Sequence, residues 1–281
     1  MENEKHFKLL KDDSIEIDGV KLYRIEATKD LPQHNVEKGE KGGYVEKEYN
    51  LMDNAWIGGN AKVYGNAKVF ENARVYGNAE IFENAKVFGN ALIFNEARIY
   101  GNAQVYGNSM VGDNVKVFED AVIYENAYVH KNAKVFGCAV LFGASRVYDN
   151  AVVFGETRIG GNAAVYEYAT VYEKARIGGN ALIFGNACVC GDAKINNFVY
   201  LSERADIKSN DDFCFFSGFG SERRDTTFFK TRYKEIFVVC GCFRGTLEEF
   251  VRRVKETHKN GKYAKEYLAI VEVVKIRFGL P

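Results

Sequence analysis

An aliphatic residue returns at every sixth position from Ile57 to Ile207 without a gap: Val63, Val69, Val75, Ile81 and Val87 open the series, and Val189, Ile195 and Leu201 near its end keep the same step. Two residues before most of them stands something small, as at Ala61, Ala67, Ser109, Thr157 and Ala187, with Val115 and Val199 as larger exceptions. A helix with 3.6 residues per turn cannot hold every sixth position on one face, whereas short strands can, because residues two apart share a side. Turn-prone pairs such as Gly65-Asn66, Glu71-Asn72 and Asp149-Asn150 separate the strands, and glycine and asparagine tolerate the left-handed backbone of a tight corner. Three hexads then close one triangular coil, and coils stacked at strand spacing give a parallel β-helix of about nine turns.

Two columns of aromatic residues run along the outer walls at the coil repeat. Tyr64, Phe82, Tyr100, Phe118, Phe136, Phe154 and Tyr172 form one, and Phe70, Phe88, Tyr106, Tyr124 and Phe142 begin another. Each side chain follows a core aliphatic and therefore faces outward. Such rings either stack into an intrinsic ladder or offer a surface for self-association into a homo-oligomer. The asparagine column at Asn60, Asn66, Asn72, Asn78, Asn84 and Asn90 is expected to form hydrogen-bonded ladders at the corners.

The pattern [IV]-x-x-[ND]-[AST]-x, which runs from about Asp53 to Asn210, resembles the hexapeptide-repeat proteins. That resemblance implies a left-handed parallel β-helix; the period by itself does not set the hand. "KGGYVEKEYNLMDNAWIGGNAKVYGNA" (Lys41 to Ala67) is similar to the opening of YdcK-like proteins, a hexapeptide-repeat group to which acetyltransferase activity is sometimes attributed. Many members of the wider family transfer acyl groups with a histidine base. His130 is the one histidine among these coils, it takes an outward aromatic position, and Gly112 stands one coil before it. A notch beside the imidazole would suit a general base, with acetyl-CoA as the implied cosubstrate; the alternative is that His130 is one more ring in the ladder.

On this reading the chain is mostly β, with three parts. Residues 1–52 form a cap, in which "SIEIDGVKLYRIEATKDL" reads as a β-hairpin turning at Asp18-Gly19. Residues 53–210 form the β-helix, and residues 211–281 a small α+β domain. In that last part "DDFCFFSGFG", "TTFFKTRY" and "EIFVVCGCF" read as strands, with Cys240-Gly241-Cys242 at a strand end. Thr246 and Glu249 make a capping box before a helix with Leu247, Phe250, Val251 and Val254 on one face. A second helix, from about Lys262, is expected to bury Tyr267, Ile270, Val271 and Val274.

Formal net charge is zero, yet Phe213 to Pro281 holds 14 basic and 8 acidic residues, while Asp53 to Asp212 holds 15 basic and 18 acidic. The acidic coils repel phosphate and argue against a nucleic-acid polymer; the basic tail points to a small anionic or phosphorylated ligand. Its expected contacts lie in "SGFGSERRDTTFF": the Ser221, Thr226 and Thr227 hydroxyls, the Arg223 and Arg224 guanidiniums, and glycine backbone, with Lys262 on a further wall. A solvated turn between strands is the plainer reading of that stretch. The six cysteines lack a Cys-x-x-Cys pair, so no metal is expected, and with no long apolar run the chain reads as cytoplasmic and not membrane-bound.

The tail also resembles a small domain of uncharacterised phage and prophage proteins. That likeness implies an oligomeric scaffold that sequesters a phosphorylated host signal, such as a cyclic nucleotide, in the host cytoplasm without turning it over. Acyl transfer through His130 and a purely structural role are the competing expectations, and no cofactor is called for unless the acyl-transfer reading holds.

Overall fold

Ile57 and its periodic successors are fully buried, except Ile177, which is 3% exposed. In the computed structural model, which describes residues 5–281, the chain forms two compact units, Met1–Gly155 and Glu156–Pro281. Parallel β-solenoid coils occur in both, built from two-residue strands in which the second residue is the buried aliphatic. In the first unit Lys62 and Val63 pair in parallel with Glu80 and Ile81, one coil further along. The ladder bonds are regular: Lys62 N–H donates to Ala79 C=O at 2.8 Å and Tyr64 N–H to Ile81 C=O at 3.0 Å. The preceding alanines are equally buried, because three walls converging on a narrow axis leave room for one large and one small side chain per edge.

The corners differ from expectation in which residue takes the left-handed backbone. Positive φ falls on the first residue of each pair, as at Gly65 (φ 65) and Glu71 (φ 58), and not on the asparagine after it. A glutamate there is compensated by its own side chain. Glu71 accepts a hydrogen bond from Gly89 N–H at 2.9 Å, and Glu83, Glu119 and Glu125 do the same for Gly101, Gly137 and Gly143. The acid thus satisfies the corner amide of the next coil, where the chain needs a glycine: a Cβ at Gly89 would sit 2.7 Å from the backbone of Gly107. Freed from the turn, the asparagines form their ladder, with Asn66 Nδ2 on Asn84 Oδ1 at 3.1 Å and Asn90 on Asn108 at 3.1 Å.

The outward rings stack as an intrinsic ladder. Tyr64, Phe82, Tyr100, Phe118 and Phe136 follow one another with centroids 4.7 to 5.2 Å apart and planes within 7° of parallel. Phe70, Phe88 and Tyr106 repeat this on a second wall at 4.8 and 4.6 Å. Each ring covers its neighbours, which leaves it half-buried.

At the start of this unit, β1 (Phe7–Ile17) and β2 (Val20–Ala27) form the expected antiparallel hairpin, turning at Asp18 and Gly19, both with positive φ. The next strand, β3 (Lys41–Val45), pairs antiparallel with β2 and parallel with Lys62–Val63, so the hairpin continues a wall of the solenoid. Gly43 is needed at that junction, since a Cβ there would collide with the Ala61 carbonyl.

In the second unit, coils from Arg158 to Ile207 lead into a four-stranded antiparallel sheet of Phe213–Phe219, Arg224–Lys230, Ile236–Cys240 and Phe243–Thr246 in that order. Helices α1 (Leu247–His258) and α2 (Lys262–Phe278) cover one face, and Thr246 and Glu249 form the predicted capping box. Phe228, Val238, Phe250, Tyr267, Ile270 and Val274 meet in this core, where Phe250 takes Phe228 and Tyr267 edge-on. The opposite face lies against the coils: Tyr200 N–H donates to Thr227 Oγ1 at 3.2 Å, and Arg232 Nη2 donates to Asn186 C=O at 2.9 Å. Covered on both sides, Thr226, Thr227, Phe228 and Phe229 are fully buried: "TTFF" lies on a strand as expected, but a central one, which leaves its two hydroxyls facing inward and not toward a ligand.

Candidate functional site

Alternation along the strand Arg224–Lys230 turns Asp225 and Thr227 toward the coils and Phe228 toward the helices, while Arg224 at the strand's end borders both sides, and a cleft lies between sheet and coils within the second unit. On one wall are outward side chains of the coils, Tyr166, Leu182, Phe184 and Tyr200; on the other are Arg223, Arg224, Asp225, Val239, Gly241 and Arg244 from the sheet. The volume is about 400 Å³. Tyr166 and Phe184 stack at 5.1 Å with planes 3° apart, and the Arg244 guanidinium stands 5.0 Å from the Phe184 ring. That cation, with the sheet above it, leaves Phe184 only 5% exposed.

Three guanidiniums and one carboxylate meet here, which makes the cleft cationic. The Asp225 carboxylate is already engaged, accepting the Ser217 hydroxyl at 2.6 Å. Gly241 carries positive φ (59) at the turn between the last two strands, and a Cβ there would run into the Arg224 side chain at 2.6 Å. The Cys240-Gly241-Cys242 corner thus gives Arg224 its room, which accounts for the glycine in chemical terms. Arg224 also borders a second hollow of about 300 Å³ with Ser221, Arg253, His258 and Tyr267. Burial pushes the Tyr267 phenol up to about 12, so it stays protonated, and its oxygen lies within 3.9 Å of Cys240 Sγ.

Of the residues expected to hold an anion, the structure brings Arg223 and Arg224 to the cleft and Ser221 to the hollow beside it. It does not bring the others there. Thr226 is fully buried with its hydroxyl on Cys240 Sγ at 3.1 Å, and Thr227 spends its oxygen on Tyr200 N–H. Lys262 pairs with Glu266 at 3.7 Å at the start of α2. The glycine backbone is likewise committed, since Gly220 N–H donates to Glu266 Oε2 at 3.2 Å, where a free anion was expected.

His130 lies in the ladder of the first unit, between Tyr128 at 4.4 Å and Tyr148 at 4.9 Å. A Cβ at Gly112 would overlap the Phe94 ring, so the space beside the imidazole that the sequence suggested is filled by that ring. Burial lowers the His130 pKa from its ordinary value, and the nearby Asp113 carboxylate only partly offsets this.

Sequence reasoning passed over Arg244 and the rings of Tyr166, Phe184 and Tyr200. One signal could have found them: the column Tyr166, Phe184 stops at Ser202, one coil later, so the last ring lacks a next ring to stack on. A terminal ring of a ladder offers a face to something else, and here Arg244 takes it.

The fold defines the chain as carrying a parallel β-solenoid of hexapeptide type. A family model described as the YdcK β-solenoid repeat matches residues 97–113, which with the observed coils supports a YdcK-like hexapeptide-repeat β-helix. No curated protein matches the chain. Among the described residues no helix is long and apolar enough to cross a membrane, and no group of three or more His, Cys, Asp or Glu side chains is placed to hold a metal ion.

Proposed function

We propose that the second unit is a binding module for a small anionic, nucleotide-like ligand, held between coil and sheet and released unchanged, with the solenoid as scaffold. One observation carries this reading: Arg223, Arg224 and Arg244 converge on a 400 Å³ cleft whose opposite wall is aromatic. Guanidiniums grip phosphate oxygens through paired N–H donors, and the facing wall adds aromatic and aliphatic surface at Tyr166, Leu182 and Tyr200, with Phe184 itself covered by Arg244, so the cleft suits an anion that carries a planar or apolar group. The volume lies within the range of small-molecule sites, about 300–1,000 Å³. Binding without turnover fits the groups present, because guanidiniums and rings hold a ligand, while the one carboxylate is already bonded to Ser217.

Isothermal titration of the full chain with adenosine and guanosine monophosphates, their cyclic and dinucleotide forms, inorganic phosphate and acetyl-CoA tests the proposal. At least one nucleotide is expected to bind, and Arg244→Ala is expected to weaken it by about tenfold or more, the size of one charge-assisted contact of about 1.5–3 kcal/mol. Binding that is unaltered in Arg244→Ala, or no binding by any member of the panel, would refute it. Turnover of acetyl-CoA would favour the acyl-transfer reading instead.

A further inference from the structure

The aromatic column that begins at Tyr64 ends at Tyr172: one coil later its place is taken by Cys190, and one coil beyond that by Lys208. Val189 points into the solenoid, so Cys188 and Cys190 on either side of it share the outer face. Both are fixed by ladder bonds, Cys188 N–H to Ala205 C=O and Cys190 N–H to Ile207 C=O, each at 2.8 Å. Their thiols converge on one phenol. Cys188 Sγ lies 3.9 Å from the Tyr172 oxygen, and Cys190 hydrogen-bonds the same hydroxyl. Those two contacts, with burial, push the Tyr172 pKa up. Cys190 is 3% exposed while Cys188 is half-buried, so the pair opens to solvent at Cys188.

Geometry decides what such a pair can hold. Two residues apart on an extended strand, Cα atoms stand about 6.6 Å from each other with their side chains parallel. A disulfide needs Cβ atoms about 3.8 Å apart, which this backbone reaches only by leaving its ladder. A cation held in line between two thiolates, with metal–sulfur bonds of about 2.3 Å, sets the sulfurs about 4.6 Å apart, a gap that two side chains leaning toward each other span. Structural zinc takes four ligands and is poorly served by two; thiolate sulfur selects soft copper(I). The charges beside the pair, Lys208 and Asp206, neutralise each other at 3.2 Å, so sulfur alone sets the selectivity.

We propose that Cys188 and Cys190 form a two-coordinate site for a soft monovalent cation, copper(I), with silver(I) as its analogue, where the ring column ends. On binding, each thiol gives its proton to solvent, two metal–sulfur bonds form and no electron is transferred. The Tyr172 hydroxyl stays protonated and donates to the thiolates.

Titration of the full chain with copper(I) against a chromogenic copper(I) chelator tests it. The wild type is expected to retain one copper(I) per chain, and Cys188→Ser and Cys190→Ser each to bind it at least about tenfold more weakly. A Cys138→Ser, Cys242→Ser double variant, which removes the two exposed thiols, is expected to keep it. Serine is nearly isosteric with cysteine, and a melting curve checks that each variant is folded. Alkylation by iodoacetamide, mapped by mass spectrometry, gives a second reading: silver(I) should shield Cys188 while Cys138 and Cys242 react as before. A wild type that holds no copper(I), copper(I) retained in full by Cys188→Ser or lost from the double variant, or silver(I) that shields Cys242 and leaves Cys188 open, overturns the proposal.

Discussion

The coils of Met1–Gly155 and the tail from Phe213 to Pro281 use their side chains in opposite ways. In the coils nearly every position is spent on the neighbouring coil: aliphatics and alanines inside, rings on rings, asparagines on asparagines, corner glutamates on corner amides. In the tail the core is a cluster of edge-on aromatic contacts, and several guanidiniums remain at the surface of a cleft. A repeat satisfies each group with a copy of itself, which stabilises the fold and leaves little over for a ligand. Recognition chemistry collects where the period ends.

The sharpest way to break this contrast is a charge in the coil interior. Val117→Asp places an unpaired carboxylate at a fully buried site among aliphatic side chains. The expected cost is about 4 kcal/mol or more, read as loss of the folded chain in urea titration. The matching change in the tail, Arg224→Ala, should leave the melting temperature nearly unchanged while weakening nucleotide binding by about tenfold. If the first is tolerated, or the second unfolds the protein, the two regions are not divided as described.

The ladder comes next. Phe118 stacks on both sides, at 5.0 Å on Tyr100 and 4.7 Å on Phe136, so Phe118→Ala removes two ring contacts and is expected to cost about 1–3 kcal/mol. The corners give a smaller effect with a diagnostic sign. Glu119 sits at φ 57 and accepts from Gly137 N–H at 2.9 Å. Glu119→Ala keeps the strain and loses the bond, for about 1–2 kcal/mol, whereas Glu119→Gly loses the bond but relieves the backbone and should be close to neutral. Equal losses in both variants would show that the carboxylate, and not the backbone, decides the corner.

The smallest effect is a dependence on pH. Burial lowers His6, His34 and His130 from the ordinary value of 6.5, so the folded chain holds them neutral while the unfolded chain takes up protons first as pH falls. Their full contribution is therefore present above about pH 6.5 and declines as pH falls from there toward the lowered values. Melting temperature should drop between pH 7 and 5, and a His130→Gln variant should drop less steeply.

Most of the fold was legible because a period of six is a geometric statement. From Ile57 to Ile207 it fixes which residues are inside, which stack, and how strands pair, and Asp18-Gly19 and Thr246-Glu249 mark the hairpin and the helix by local chemistry. The site was half legible. Arg223 and Arg224 stood out as adjacent cations, but their company depends on which face of a strand each neighbour takes and on what the sheet packs against. Thr226 and Thr227 look like free hydroxyls beside glycines; only the burial of that strand on both sides shows them to be spent internally. Arg244 and Phe184 lie far apart in sequence and meet only because the sheet folds back over the coil. The corner glutamates were read as turn formers, and their bonds to the next coil emerge only from the stacking.

Native mass spectrometry of the full chain after incubation with the nucleotide panel puts the cleft to the most direct trial. The wild type should carry the added mass of a phosphate-bearing ligand, in one copy per chain, and a variant combining Arg223→Ala, Arg224→Ala and Arg244→Ala should return to the bare chain. Ligand retained equally by that variant, or a wild type that keeps the mass of the chain alone with every member of the panel, would contradict the account.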